Sequence, residues 1–194
     1  MNIGIYIYEN AEVLDFSGPF EVFSTASRFL KNKDKFNVFL VSEENKAIQA
    51  RGGFSVYPKY SFADCPTLDV LIVVGGVHQK ELKKQNVISW IKHKSENAQY
   101  TASVCTGAFL LAKAKVIKKQ KVTTHWEDIK DLRKQFPKLE VIENVRWVEQ
   151  KNIITSAGIS AGIDMSLYLV SKIKNKKLAY KTAKQMDFDW KENK

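Results

Sequence analysis

The sequence is poor in the residues that mark several classes of protein. Its 194 residues include two cysteines, nine glycines and four prolines. Two cysteines cannot form a disulfide framework, and so few glycines exclude a collagen-like repeat. The longest apolar candidate, Ile159–Val170, is interrupted by Asp164 and is too short to span a bilayer. Because the start of the chain also lacks the pattern of an export signal, we expect a cytoplasmic protein without a membrane partner.

Arginine is scarce in a strongly basic chain. The net charge is +10, and the cations are 27 lysines and four arginines. Such a balance is a first indication of nucleic-acid binding, but phosphates and bases are recognised mainly by arginine. The segments Lys113–Lys121 and Lys172–Lys194 carry the whole excess and contain no arginine. We therefore expect a solvated lysine surface and no nucleic-acid partner, with Lys113–Lys121 placed to draw anionic ligands toward a cleft.

What remains is the composition of a folded globular domain, with 44% hydrophobic and 11% aromatic residues. Apolar strand-like runs at Asn2–Tyr8, Asp69–Val74 and Tyr100–Val104 alternate with helical patterns such as Ser17–Leu30 and Lys80–Asn97. The short run Phe54–Tyr57 follows two glycines and predicts one arm of a hairpin. Continuous apolar strands between helices are typical of parallel sheets that are covered on both faces.

The whole chain, residues 1–194, is thus predicted to form a single α/β domain. We expect a flavodoxin-like three-layer sandwich with a mostly parallel central sheet. Ligands of such sheets bind beyond the carboxyl ends of the strands. The residues that directly follow Tyr8, Val74 and Val104 are therefore the candidates for chemistry.

Cys105 stands where a buried strand passes directly into a helix, in the sequence Cys105-Thr106-Gly107. This is the pattern of a nucleophile elbow, with cysteine in place of serine. A helix N-terminus lowers the pKa of a thiol, and the backbone N–H of Thr106 is placed to face a developing anion. The alternative is a small buried cysteine that only fills space. Cys65 falls in a loop and is interpreted as incidental.

Two further segments follow neighbouring strands. Gly75-Gly76 ends the strand Asp69–Val74, and one of its N–H groups could supply a second oxyanion donor, although two glycines also make an ordinary turn. Asp15 follows the first strand in an apolar setting. It is either a helix N-cap or a buried carboxyl of raised pKa that carries protons for the thiol.

The histidines give weaker indications. His125, in Thr124-His125-Trp126, lies 20 residues after Cys105 and could pair with it, or could simply pack in a loop. Trp126 and His78 are candidates to line a pocket, whereas His93 fits a lysine-rich helix surface. No spacing typical of a metal site is present, and neither are the P-loop and GxGxxG patterns, so we expect no metal.

Together these residues resemble the ThiJ/PfpI superfamily, which is related to class I glutamine amidotransferase domains. The similarity covers nearly the whole chain and is greatest toward isonitrile hydratases and the sensor domains of AraC-type regulators. The segments that carry it are VLDFSGPFEVF (Val13–Phe23), SFADCPTLDVLIVVGG (Ser61–Gly76), SVCTGAFLL (Ser103–Leu111), TTHW (Thr123–Trp126) and TSAGISAGID (Thr155–Asp164).

The resemblance implies a set of roles. Cys105 would be the nucleophile, Asp15 its acidic partner, and Thr106 the threonine that follows the nucleophile in isonitrile hydratases. The amides of Gly76 and Thr106 would serve as oxyanion-type donors. The implied reaction is hydration of a small isonitrile to an N-formamide through a thioimidate on Cys105, without a cofactor. The family also implies a homodimer, for which Phe20, Phe23, Trp147 and Tyr168 are candidate contact residues.

The sequence departs from some branches of the superfamily. Protease-like members carry histidine directly after the cysteine, where this chain has Thr106, and many glyoxalase- and chaperone-like members carry glutamate at the position of Asp15. AraC-type regulators add a DNA-binding part, and we expect no counterpart of it in this protein. Two alternatives to the hydratase stay open: a ligand- or redox-sensing domain without turnover, and a glyoxalase- or deglycase-like stress protein.

Overall fold

The computed structural model describes residues 1–193. Its strands are β1 (Asn2–Tyr6), β2 (Asn37–Ser42), β3 (Ile48–Gln49), β4 (Ser55–Val56), β5 (Tyr60–Ser61), β6 (Val70–Val73), β7 (Tyr100–Ser103), β8 (Lys121–Val122), β9 (Glu140–Val141), β10 (Trp147–Gln150) and β11 (Ile153–Ser156). Its α-helices are α1 (Val13–Ser27), α2 (Gln85–Asn97), α3 (Gly107–Lys113), α4 (Ile129–Gln135), α5 (Ala161–Ile173) and α6 (Lys176–Gln185).

A seven-stranded sheet forms the centre of the molecule, in the order β10-β11-β7-β6-β1-β2-β5. Every neighbouring pair is parallel except β10 and β11. The inner strands β1, β6 and β7 carry completely buried side chains such as Ile5, Leu71 and Ala102. Helices α1, α5 and α6 pack on one another, and α2 packs on α3. The prediction of an α/β fold with a mostly parallel central sheet is confirmed.

The sheet order determines where a site can form. Strands β7, β6 and β1 are consecutive neighbours and run in the same direction. Their carboxyl ends therefore lie side by side, and each leads into one of the candidate segments, which contain Cys105, Gly75 and Asp15. The topology thus brings together three segments that are far apart in the sequence.

Two helix boundaries differ from the sequence-based prediction. Helix α1 begins at Val13, not at Ser17, so Pro19 lies inside the helix and Asp15 in its first turn. Proline near a helix start is common, which is why the later start was expected. The predicted helix Lys80–Asn97 is divided at Lys84, whose extended backbone separates a 3-10 turn from α2.

One short predicted element lies outside the central sheet. The hairpin expected at Phe54–Tyr57 is present as the antiparallel pair of β3 and β4.

Phe23 and Trp147, candidates for a dimer face, are buried in the core and cannot form an exposed surface in this chain. None of the helices within residues 1–193 combines the length and the apolar character needed to cross a membrane.

Candidate active site

Cys105 occupies a sharp turn between β7 and α3. Its φ is +55°, a left-handed conformation that costs energy in a residue other than glycine. The turn is held on both sides, because the Cys105 N–H donates to the Ala157 carbonyl (3.2 Å) and the Thr124 hydroxyl donates to the Cys105 carbonyl (2.8 Å). Gly107 is required next, since a Cβ there would lie 2.1 Å from the Val73 carbonyl oxygen. The strained turn presents the thiol at the end of the sheet.

Asp15 projects from the first turn of α1 and is completely buried. Its Oδ2 accepts a hydrogen bond from the Gly75 N–H (3.0 Å), whereas its Oδ1 has no partner among the described residues. Burial raises the pKa of Asp15 to about 7, and the Gly75 amide and the adjacent Cys105 thiol oppose that rise. A carboxyl that holds its proton near neutral pH, with one oxygen unoccupied, is suited to exchange a proton with a reactant.

The thiol itself is not acidic. Burial raises the pKa of Cys105 well above its usual value, and the negative charge of Asp15 raises it further. A hydrogen bond from the Thr106 amide opposes these effects without cancelling them. The prediction of a thiol pKa lowered by the helix N-terminus is therefore wrong. Helix α3 has only seven residues, and its influence is outweighed by desolvation and the nearby carboxyl.

The glycine turn after β6 packs directly on the elbow. A Cβ at Gly75 would lie 2.6 Å from the Thr106 nitrogen, so the two turns touch through backbone atoms. The Gly76 N–H donates to the Thr106 hydroxyl oxygen (3.0 Å), and the Gly76 carbonyl lies 3.1 Å from the same oxygen. Gly76 has a φ of +132° and bridges to Ala11 in the loop after β1.

These contacts change the roles expected for the two glycines. Both amides were candidates for an oxyanion donor, but Gly75 is engaged by Asp15 and Gly76 by Thr106. The reason is the close packing of the turn, which brings an acceptor to each N–H. Of the three candidate donors, the Thr106 amide is the one that faces the sulfur. Gly75 therefore orients the carboxyl of Asp15.

The elbow opens into a cleft of about 680 Å³ that is lined by Cys105 and Thr106. All three pocket candidates, His78, His125 and Trp126, line this cleft. The His125 ring packs on Gly158, where a Cβ would lie 1.9 Å from the ring, so only glycine fits there.

The two histidines of the cleft have different surroundings. The His125 Nδ1 lies 3.5 Å from an oxygen of Asp128 and 3.7 Å from one of Glu127. His78 is buried, packs on the Phe109 ring and has its Nδ1 3.3 Å from the Gly76 carbonyl oxygen. Burial lowers the pKa of His78, which favours its neutral form.

Several lining residues were not anticipated from the sequence. Arg51 reaches the cleft from the β3–β4 connection, where its N–H donates to the Ala11 carbonyl (2.9 Å). Its guanidinium lies 3.4 Å from the carboxylate of Glu12, which also lines the cleft. Gly52 and Gly53 follow Arg51 with positive φ and form the turn. That glycine pair was the available signal for a hairpin tip.

Within residues 1–193, neither Cys65 nor a group of metal-binding side chains forms a further site. Cys65 is a free, partly buried thiol in the loop before β6. In the described part of the chain, no three side chains of histidine, cysteine, aspartate or glutamate are grouped as a metal would require. The chemistry available at the cleft is therefore that of a thiol, a carboxyl of raised pKa and two imidazoles.

The relatives found by comparison with known proteins include an enzyme and transcriptional regulators. The isonitrile hydratase of Pseudomonas putida is 30% identical over 174 residues, which cover 89% of this chain and 72% of the relative. The HTH-type transcriptional regulator CdhR of Pseudomonas aeruginosa is 26% identical over 173 residues, or 89% of this chain and 51% of the regulator. The chain therefore spans about half the length of that regulator.

Two solved structures share the overall fold of this chain. A ThiJ/PfpI family protein from Pseudomonas syringae has a TM-score of 0.85 at 25% identity, over 98% of this chain and 76% of the other. Drosophila melanogaster DJ-1beta has a TM-score of 0.82 at 17% identity, over 97% and 98%. The model of the DJ-1/PfpI family matches residues 1–172. On this evidence, the chain belongs to the DJ-1/PfpI family.

Proposed function

We propose that this protein is a cysteine-dependent enzyme that hydrates small isonitriles to N-formamides without a cofactor. The observation that carries the proposal is the buried Asp15 carboxyl beside the Cys105 thiol, whose Oδ2 accepts from the Gly75 N–H while its Oδ1 lacks a close hydrogen-bond partner within residues 1–193. The similarity to an isonitrile hydratase over 89% of the chain supports this class of substrate. Cys105, Asp15 and Thr106 are the proposed catalytic residues.

The first step uses the thiol and the carboxyl together. Ionised Asp15 takes the proton from Cys105 as the sulfur attacks the terminal carbon of R–N≡C, and the same proton passes to that carbon. The product is the thioimidate R–N=CH–S, attached to Cys105. Because the carboxylate removes the proton during the attack, the thiol need not be ionised beforehand, which suits its raised pKa.

The second step releases the product. Asp15 takes a proton from water as the water oxygen adds to the thioimidate carbon, and passes that proton to the nitrogen. The adduct R–NH–CH(OH)–S then collapses: the C–S bond breaks, and the hydroxyl proton passes through Asp15 to the sulfur. The N-formamide R–NH–CHO leaves and the thiol is restored. The Thr106 amide, which faces the sulfur, would stabilise negative charge on that atom in both steps.

The direct test is turnover of a simple alkyl isonitrile, followed by NMR detection of the N-formamide. We expect wild-type protein and Cys65→Ser to produce the formamide and Cys105→Ala to produce none. Mass spectrometry of rapidly quenched protein should show the thioimidate adduct on the peptide that contains Cys105. If the wild-type protein shows no turnover above buffer, the hydratase proposal is wrong for the isonitriles tested.

A ligand-sensing domain without turnover is the second candidate, and the similarity to a transcriptional regulator supports it. In that case ligands would bind the same cleft and shift the unfolding temperature while no product forms. Redox sensing has less support, because oxidation of a cysteine needs thiolate and the pKa of Cys105 is raised. For a glyoxalase- or deglycase-like stress activity, the support is the likeness to DJ-1beta, and that likeness is one of fold alone.

The partner and location expectations remain predictions. We propose a small-molecule substrate and a homodimer in the cytoplasm, with no membrane partner and no nucleic acid. The exposed aromatic residues differ from those expected at a dimer face, and they include Phe54, Tyr57 and Trp126. Light scattering of the purified protein measures the oligomeric state directly. A monomer at micromolar concentration would contradict the dimer.

A further inference from the structure

The cleft at Cys105 differs in charge from the rest of the molecule. The chain carries 27 lysines and a net charge of +10, yet no lysine lines this cleft within residues 1–193. Three carboxylates line it instead, those of Glu12, Glu127 and Asp128. A low-dielectric concavity lined by one sign of charge concentrates ligands of the opposite sign.

The carboxylates are only partly compensated. Arg51 is the one cation of the lining with a permanent charge, and its guanidinium lies 3.4 Å from Glu12. Glu127 and Asp128 make no ion pair with a lysine or arginine in the described chain, and the group nearest to them is the His125 ring. Two carboxylates therefore remain at the rim of the cleft without a lysine or arginine partner within residues 1–193.

The indole of Trp126 adds a second, independent feature. Its residue is 75% exposed although tryptophan is usually buried, and it lines the cleft next to the His125 ring, at 5.7 Å between centroids. The face of an exposed indole attracts cations within about 6 Å. Carboxylates and an aromatic face at one opening form a surface that favours a positively charged group.

Lysines of the lysine-rich segment line other cavities than the cleft at Cys105. Lys113–Lys119 lines a separate cavity of about 850 Å³, bounded by α2, the end of α3 and the connection after α4. That cavity shares no lining residue with the cleft at Cys105. A smaller cavity of about 290 Å³ is lined by Lys113 and also by His78 and Asp128 of the cleft. The expectation that this segment draws anions toward the cleft therefore stays a prediction, which the test below also decides.

We propose that the cleft selects substrates that carry an ammonium group a few bonds from the reacting carbon. Glu127, Asp128 and Trp126 would hold that group at the rim while the isonitrile carbon reaches Cys105. This inference rests on the proposed hydratase function for the reacting group and on the rim residues for the charge. It assigns a specificity role to residues that take no part in the bond changes.

The test uses three isonitriles with the same alkyl chain, ending in an ammonium, a methyl or a carboxylate group. Binding to Cys105→Ala is measured by calorimetry, so that the result does not depend on turnover. We expect the ammonium compound to bind about tenfold more tightly than the carboxylate compound at low salt, because exposed ion pairs and cation–π contacts each contribute modestly. High salt should reduce this ratio.

Two double variants in the Cys105→Ala background separate local from global charge. E127Q/D128N should bring the ratio close to one. The control E44Q/E96Q also removes two negative charges, but from exposed sites outside the cleft, and should leave the ratio unchanged.

Equal binding of the three compounds, or tighter binding of the carboxylate compound at Arg51, would overturn the inference. So would a preference that E127Q/D128N leaves intact. Absence of turnover by the wild-type protein would instead contradict the hydratase proposal, because the binding measurement stands apart from it. If turnover occurs, kcat/KM should follow the same order of compounds as binding.

Discussion

The two cysteines of this chain occupy opposite kinds of surroundings. Cys65 lies partly buried in a loop, where the ammonium of Lys94 donates to its carbonyl oxygen (2.9 Å) and opposes the rise of its thiol pKa caused by burial. Cys105 lies in a strained turn beside Asp15, whose charge adds to the effect of burial. By charge alone, Cys65 would be the more readily ionised thiol.

The difference shows that thiol acidity does not identify the nucleophile here. Cys105 has beside it a carboxyl whose pKa lies near neutral pH, a backbone amide facing its sulfur and an open cleft in front of it. Cys65 has the cation of Lys94 nearby, its thiol donates to the Pro66 carbonyl oxygen (3.5 Å), and it is absent from the cleft. A site that removes the proton during the attack can use a thiol that is neutral at rest.

The strongest way to break this comparison is to remove each sulfur in turn. Cys105→Ala should reduce formamide production by at least about 10³-fold, because no other group of the cleft forms the thioimidate. Cys65→Ala should change kcat by less than about twofold, since its loop is outside the cleft. Both rates are measured by NMR, with thermal unfolding to verify that each variant folds. Equal losses of activity in the two variants would show that the different surroundings of the two cysteines do not determine which one is catalytic.

Removing the charge of Asp15 tests its role as proton carrier. Asp15→Asn keeps the shape and the acceptor for the Gly75 amide but cannot take a proton, so kcat/KM should fall by about 10²–10⁴. In the wild type, kcat/KM should rise with pH through an apparent pKa near 7, where Asp15 ionises. The variant should lack that rise. A normal pH profile in Asp15→Asn would assign the proton transfer to another group.

The Asp15→Asn variant should also change how the free energy of unfolding depends on pH, which no substitution near Cys65 should do. The pKa of Asp15 is raised by folding to about 7, so its stabilising protonation is complete below the unfolded pKa and is lost as pH rises through 7. Relative to that of the wild type, the free energy of unfolding of Asp15→Asn should rise by up to about 4 kcal/mol between pH 4 and pH 8. Urea unfolding at several pH values measures this. A constant difference would mean that the carboxyl is ionised throughout.

The smallest expected effect concerns the resting thiols. At pH 8 without substrate, iodoacetamide should modify Cys65 a few-fold faster than Cys105, because Cys105 is buried and its thiol is held neutral. Peptide mass spectrometry follows both sites in one sample. An excess of isonitrile during the labelling should protect Cys105, because the thioimidate forms in each turnover, and should leave Cys65 unchanged. Faster alkylation of Cys105 would instead support the acidic thiol that the sequence suggested.

The sequence predicted the chemical groups better than their electrostatics. The strands before Asp15, Gly75 and Cys105 follow from their apolar runs, and the parallel sheet then dictates that their ends meet. The depth of burial at Cys105 is a tertiary property, and so is its distance from Asp15. The direction of its pKa shift was for that reason not predictable from a local rule about helix termini.

The boundary of α1 and the cleft rim were missed for a related reason. Pro19 suggested a first turn, whereas tertiary packing extends the helix back to Val13 and makes Asp15 part of it. Arg51 comes to the cleft through a pairing of two-residue strands, which is too short to leave a periodic signal. Only the glycine pair after Arg51 marked the turn.

The adjacency of β1, β6 and β7 has a further consequence for how the molecule assembles. Asp15 and Gly75 are 60 positions apart and Gly76 and Thr106 are 30 apart, so the surroundings of Cys105 exist only after all three strands have paired. Cys65 has its own neighbour in Lys94 of α2. The two thiols therefore report on different steps of refolding. Pulsed alkylation would follow the pairing of the central strands at Cys105 separately from the docking of α2 at Cys65, without any added label.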